Sequence, residues 1–286
     1  LKKTVRWVVG IVLGVYIGTI VLLNIPNIQQ AMSVFVAEEL SEVLNTKVVI
    51  GRINMGLLNR IIIDDVLLDD QSGQEMLKVT RLSAKFDIMP FFKGKISISS
   101  VQLFGFNINL RKETPDSPPN FKFVLDAFAS KDTVKKENSL DLRINSILIR
   151  RGRMSYHVLS EEETPGKFNA KHIQLQNIIA NISLKALSKD SLNLGIKRLS
   201  LDEKASGFSL KKMSLKLVAN NKQTNIDNFT IELPETSLKL DTIHLEYDSL
   251  KAFDRFTEQV HFSFRTLPSQ VTLKDISPFV RILSHF

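Results

Sequence analysis

Ile96–Leu103 reads ISISSVQL, with apolar residues at Ile96, Ile98, Val101 and Leu103. Two alternations are followed by a step of three and two more alternations. The same spacing occurs at Ile61, Ile63, Val66 and Leu68, and again at Leu142, Ile144, Ile147 and Ile149. It returns at Phe168, Ala170, Ile173, Leu175; at Leu194, Ile196, Leu199, Leu201; at Phe208, Leu210, Met213, Leu215; and at Leu238, Leu240, Ile243, Leu245. A looser copy is Thr224, Ile226, Phe229, Ile231. Period-two alternation marks a strand with one buried face. The three-residue step either switches faces or marks a bulge that bends the strand. The last copies start at 194, 208, 224 and 238, a short and nearly even pitch that predicts a strand meander extended by repetition.

Composition narrows the function classes. The 286 residues carry 38 Lys and Arg against 30 Asp and Glu, for a formal charge of +8. The cations are scattered along the polar positions of the predicted strands, and no basic–aromatic cluster accompanies them. A solvated face, or attraction to anionic lipid, accounts for the excess; nucleic acid is not an expected partner. There is no Cys, which excludes disulfides, Cys–zinc sites and thiol nucleophiles. The chain begins with Leu rather than Met and is expected to be part of something longer.

From the N-terminus, Lys2, Lys3 and Arg6 precede an apolar run from Trp7 through Leu23 to Ile25. A helix of that length spans roughly 28 Å at about 1.5 Å per residue, close to a bilayer core. The run exceeds a signal-peptide apolar region and ends in Asn24-Ile25-Pro26-Asn27 rather than at small residues. Residues 1–27 therefore read as an uncleaved anchor, with the basic end cytoplasmic and the rest across the membrane. In a bacterium this means inner membrane and periplasm. Gly10, Gly14 and Gly18 form a small-residue stripe that permits close helix approach.

Residues 28–46 carry apolar side chains at three-to-four spacing, predicting an amphipathic helix that plugs the end of the following sheet. Strand pattern runs through 47–110. Arg111–Asn120 is a polar, proline-rich link and Phe121–Ala129 a short helix within a linker at 111–139. Strands resume over 140–286. Asp64, Asp65, Asp69 and Asp70 lack the spacing of a calcium loop and suit turns. None of the five histidines has a metal-ligand spacing such as HExxH, and His172 and His244 fall on the polar face, as solvated residues. No phosphate loop, nucleophile elbow or convergent carboxylate pair appears, so no catalytic residue, cofactor or metal ligand is nominated and an enzyme is not expected.

A resemblance joins these features. The anchor, the helix ending Leu40-Ser41-Glu42-Val43-Leu44, Val48-Val49-Ile50-Gly51 and Ile62-Ile63-Asp64-Asp65-Val66-Leu67-Leu68 resemble the start of TamB and other AsmA-like proteins. Leu77 through Phe86 and Gly94-Lys95-Ile96-Ser97-Ile98 fit the next unit. Asn120-Phe121-Lys122-Phe123-Val124-Leu125-Asp126-Ala127-Phe128 is similar to the link of the Bacteroidetes branch. The resemblance implies a mainly β fold, an elongated antiparallel sheet curled into an open hydrophobic groove. It further implies a partner barrel of the TamA type in the outer membrane, and a role in outer-membrane protein assembly and intermembrane phospholipid movement. Family members are much longer, so the region meeting the barrel is expected to lie outside this chain.

The physics of such a trough agrees. An acyl chain of about 16 carbons, at about 0.8 kcal/mol per CH2, gains on the order of 10 kcal/mol on an apolar face. The expected lining residues are Ile96, Ile98, Val101, Leu103, Leu142, Ile144, Leu194, Ile196, Leu238 and Leu240. The competing expectations are a membrane-tethered closed β-sandwich acting as a structural or protein-binding module, and a tethered hydrolase.

Overall fold

The computed structural model describes residues 2–56, 59–87, 96–128, 140–141, 145–187 and 191–279. Helices α1 (Lys2–Leu23) and α2 (Pro26–Leu44) come first. Strands β1 (Val48–Gly56), β2 (Arg60–Asp69), β3 (Glu75–Phe86) and β4 (Ile96–Lys112) follow, then α3 (Lys122–Phe128) and the two-residue β5 (Leu140–Asp141). The meander continues as β6 (Ser146–Val158), β7 (His172–Leu187), β8 (Ser191–Glu203), β9 (Ser209–Asn220), β10 (Gln223–Glu232) and β11 (Ser237–Tyr247). A 3-10 turn, Leu250–Arg255, and the short α4 (Phe256–Gln259) lead into β12 (Val260–Thr266), and α5 (Leu273–Ile276) comes last.

Hydrogen bonding follows the order β1-β2-β3-β4-β6-β7-β8-β9-β10-β11-β12, with β1 and β12 as separate ends, so the sheet is not closed into a barrel. The β1–β2–β3 and β6-through-β12 pairings are antiparallel. The expectation of a purely antiparallel sheet is corrected at one place: Ile96–Ser97 of β4 pair in parallel with Leu140–Asp141 of β5. Two compact units emerge, Leu1–Gln102 with Asn120–Arg143, and Leu103–Pro119 with Ile144–Phe286. The division runs through β4, and residues 111–139 are shared between the two.

In the first unit, α2 starts with Pro26 at its first turn and ends at Asn45, whose left-handed backbone (φ 48°) closes the helix. Asn45 N–H donates to the Glu42 carbonyl and Thr46 N–H to that of Ser41. The next turn is tied to the sheet by Val48 N–H donating to Ser41 Oγ (3.0 Å) and Thr46 Oγ1 donating to the Asp69 and Asp70 carbonyls. Met32, Val36, Ala37, Leu40 and Leu44 of α2, with Phe123, Val124 and Ala127 of α3, pack on Val48, Ile50, Ile53, Leu68 and Met76. Each fully buried Leu, Ile or Val there contributes about 1.5–3 kcal/mol.

This unit resolves the three-residue step. In β1, Val48, Ile50 and Ile53 are all buried in one cluster, while Gly51 and Arg52 between them are both exposed. Two successive residues turn outward and the apolar face continues unbroken, so the step does not switch faces. β2 takes the step at the same level, giving the pairs Val48↔Leu68, Ile50↔Val66, Ile53↔Ile63 and Met55↔Ile61. Asp65, second of the two residues in the β2 step, has φ 56°.

The second unit repeats the device. Gly105, Arg151, Asn177 and Asn228 all have φ between 52° and 64°. Each is the second of the two residues inside a step: 103 to 106, 149 to 152, 175 to 178 and 226 to 229. Arg150 and Arg151, Gln176 and Asn177, and Lys197 and Arg198 are exposed together. Register shifts fall at Ile149/Gly152, Gln176/Ile179, Ile196/Leu199 and Asp227/Thr230, which makes these steps bulges. A left-handed conformation costs a residue with a Cβ roughly 1–2 kcal/mol. Asn, Asp and Gly tolerate it best, which is why they fill most of these positions.

α1 stands apart from the sheet. Trp7, Ile11, Val15 and Val21 are each at least 60% exposed. A Cβ on Gly10, Gly14 or Gly18 would meet nothing within 4 Å. Its end is tied to β1 by Asn24, whose Nδ2 donates to the Ile20 and Met55 carbonyls at 2.8 and 2.9 Å. Among the described residues no single helix is long and apolar enough to cross a membrane. By length and composition a pair bent by 72°, Leu13–Leu23 with Pro26–Leu44, is.

Candidate functional site

In the second unit the cross-strand partners line apolar residues up in rows running from strand to strand. One row is Leu184, Leu194, Leu217, Ile226, Ile243 and Phe264, each paired with the next across β7 to β12. A second is Ile149, Ala180, Leu199, Met213, Ile231 and Leu238, across β6 to β11. Shorter rows join Ile147, Ile182, Ile196 and Leu215, and Phe229 with Leu240. At about 4.8 Å between strands, a six-strand row extends roughly 24 Å.

Burial separates this face from that of the first unit. Under α2 and α3, Val48, Ile50, Ile53, Leu68 and Met76 are at most 8% exposed. On β8 to β11, Leu194, Ile196, Leu199, Met213, Leu215, Leu217, Ile226, Phe229, Ile231, Leu238, Leu240 and Ile243 all remain partly exposed. At the edge of the row system Phe262 and Phe264 are 54% and 56% exposed, with their rings stacked at 6.2 Å. A contiguous apolar surface of this kind is either a liability or a place where something apolar binds.

The outward side of the steps is polar and paired. Arg81 Nε donates to Asp64 Oδ1 at 2.6 Å, Asn177 Nδ2 to Asp202 Oδ2 at 2.7 Å, and Arg265 reaches Asp241 at 3.1 Å. The Arg151 guanidinium lies 5.1 Å from the Phe104 ring centre. Two carboxylates are buried in turns. Asp70, 2% exposed, accepts from the N–H groups of Ser72 and Gln74, from Ser72 Oγ and from Asn120 Nδ2. Burial disfavours its charge, but these donors outweigh burial and hold the carboxyl below the ordinary aspartate range. Glu203, also 2% exposed, is likewise lowered: burial acts against the charge, and Ser206, Gln174 and Ala205 donors overcome it. Asp64 and Asp70 thus have protein partners; Asp70 sits in a turn as expected, whereas Asp64 and Asp65 lie inside β2, at its step.

Of the expected lining residues, Leu194, Ile196, Leu238 and Leu240 stand in the rows of the second unit. Ile98, Val101 and Leu103 lie on β4, partly exposed. Leu142, Ile144 and the Ile96 side chain lie outside the described residues. Trp7, Gly10, Gly14 and Gly18 are exposed on α1, and Leu23 is partly buried at its end. The rows also recruit Leu184, Leu217 and Phe264, with Phe262 stacked beside Phe264; the alternation in Val260-His261-Phe262-Ser263-Phe264 was the available signal for both phenylalanines. His172 corrects an expectation: it is 7% exposed rather than solvated, because the 159–171 connection folds over it. His244 is half-exposed, with Nδ1 2.6 Å from Asn225 Oδ1 and Nε2 2.9 Å from Glu246 Oε1.

No family model matches the chain, and no curated protein matches it.

Proposed function

We propose that this chain is a membrane-anchored carrier, not an enzyme, whose uncovered sheet face holds phospholipid acyl chains. One observation carries the reading: the apolar rows of β7 to β12 run across the strands while their leucines and isoleucines stay partly exposed. Rows perpendicular to the strands offer one apolar contact after another at nearly constant spacing. An acyl chain can therefore shift along them at little net cost. The exposed apolar α1, preceded by Lys2, Lys3 and Arg6, supports an inner-membrane tether with the sheet on the periplasmic side. The larger role this serves is outer-membrane biogenesis, by phospholipid transport between membranes or by assembly of outer-membrane proteins with a TamA-like barrel.

Photo-crosslinking groups at Leu217, Ile226 and Leu240 test the proposal, with mass spectrometry of the adducts. Adducts of diacyl phospholipid at all three positions, but not at outward-facing Lys216, are expected. Adducts at none of the three would overturn it, and would favour a closed module with a dry interior.

A further inference from the structure

His157 and His172 are direct partners on β6 and β7, at the mouth of the hairpin that residues 159–171 connect. Their Nδ1 atoms are 3.1 Å apart. Glu163, from the connection itself, places Oε1 3.8 Å from His157 Nδ1 and 4.0 Å from His172 Nδ1. These three ligand atoms all lie within 4.8 Å of one another. We propose that His157, His172 and Glu163 form a binding site for a transition-metal dication of the zinc type.

The local hydrogen bonds set up the donor atoms. His172 Nε2 lies 2.9 Å from the Glu161 carbonyl oxygen. A carbonyl only accepts, so Nε2 carries the proton and neutral His172 keeps its lone pair on Nδ1, facing His157. This pairing of a ligand imidazole with a backbone carbonyl fixes ring orientation in metal sites. Two nitrogens bound to tetrahedral zinc at about 2.0–2.1 Å sit about 3.3 Å apart, close to the observed spacing. His157 meets the ion through Nδ1 by taking its Nε2–H tautomer, a shift that needs no net proton release.

The backbone around the site is held before any ion arrives. Val158 N–H donates to the Lys171 carbonyl, Glu161 N–H to that of Val158, and His172 N–H to that of Asn169. Asn169 Nδ2 donates to the Glu162 carbonyl, one residue before the carboxylate ligand. Lys171 pairs with Glu161 at 2.7 Å, which leaves Glu163 to the histidines. The exposures also make sense for a loading site: the His172 side chain is 8% exposed, that of His157 23%, and that of Glu163 63%. Glu163 Oε1 stands 3.8 and 4.0 Å from the two Nδ1 atoms, so rotation of this exposed side chain would bring the carboxylate onto an ion seated between the imidazoles. Two nitrogens and one oxygen suit zinc, with water in the fourth position. The ion would clamp the open end of the β6–β7 hairpin.

Zinc titration of the chain in detergent, against a chromophoric chelator, tests the site, and cobalt absorption reports its geometry. One zinc per chain and the visible bands of tetrahedral Co2+ are expected. The exposed-side variants H157A and E163Q should retain the wild-type circular dichroism and each weaken zinc affinity by at least about tenfold. No stoichiometric zinc in the wild type, or unchanged affinity in both variants, would overturn the proposal.

Discussion

The Phe106 ring occupies the space that a side chain on Gly152 would need: a Cβ there would collide with the ring edge and touch Ile178 Cβ at 3.0 Å. Phe106, at 7% exposure, closes the step of β4, and Gly152 closes that of β6. One strand supplies bulk where its neighbour supplies none, so the two bulged strands nest. Gly152→Ala should destabilise the protein by about 1–3 kcal/mol, as overpacking of a filled site does. Thermal unfolding would show it. The double variant with Phe106→Leu should recover part of the loss, since the two positions share one space. Additive losses would mean that the contact is not what the glycine serves.

Asn228 isolates the backbone requirement of the step. With φ 52°, it sits where a β-branched residue is strained. Asn228→Gly should be neutral or slightly stabilising, and Asn228→Val should cost about 1–2 kcal/mol relative to Gly. Chemical denaturation midpoints of the two variants decide the order.

Much of this architecture was legible as spacing. The steps read at 63 to 66 and 226 to 229 hold the left-handed Asp65 and Asn228, and the one at 196 to 199 holds a register shift, whereas Gly105, Arg151 and Asn177 lie in steps five residues beyond those read at 98 to 101, 144 to 147 and 170 to 173. Which way the step faced was not legible. Only the burial of Val48, Ile50 and Ile53 in one cluster, with Gly51 and Arg52 outward, settles it. The apolar rows needed the pairing register, which alternation within one strand does not contain. His172 was misread for a related reason: alternation assigns it to the polar face, but the cover comes from a connection that places Glu161 and Glu163 over it.

Acid should weaken the fold through Asp70 and Glu203. Both carboxyls are lowered in the folded protein, so folding favours their ionised forms. Their stabilisation is complete above the unfolded-state values of about 4 and is lost as pH falls through the lower folded-state values. Stability measured by denaturant at pH 6 and pH 3 should drop between the two. The drop should shrink in Asp70→Asn and Glu203→Gln, which no longer ionise. A pH profile unchanged in both variants would assign acid sensitivity elsewhere.

Tyr247 holds the turn between β9 and β10. Its hydroxyl donates to the Asn220 carbonyl at 2.7 Å and accepts from Thr224 Oγ1 at 2.9 Å. Tyr247 is 5% exposed and Thr224 7%, so water cannot replace the lost partner freely. Tyr247→Phe should cost about 1–3 kcal/mol by leaving both groups unsatisfied. Thr224→Val in the same background should cost little more, because the network is already broken.

Leu217 sits mid-row between Leu194 and Ile226. In a sealed core, Leu217→Lys would strand a charge among apolar side chains and unfold the protein. On a partly exposed face the lysine stem lies along its neighbours and carries its ammonium to water. The variant should therefore fold, with circular dichroism unchanged and a modest fall in melting temperature. The ammonium now interrupts the row, so an acyl chain lying across it must desolvate a charge or stop short. Phospholipid co-purifying with the variant, quantified by mass spectrometry, should fall several-fold. Leu44→Lys, at the end of α2 where it packs on the first unit's strands and 5% exposed in the native chain, should instead fail to fold. If Leu217→Lys fails as Leu44→Lys does, the face is covered in solution and the carrier reading is wrong. If it folds and keeps its lipid, the acyl chains bind elsewhere.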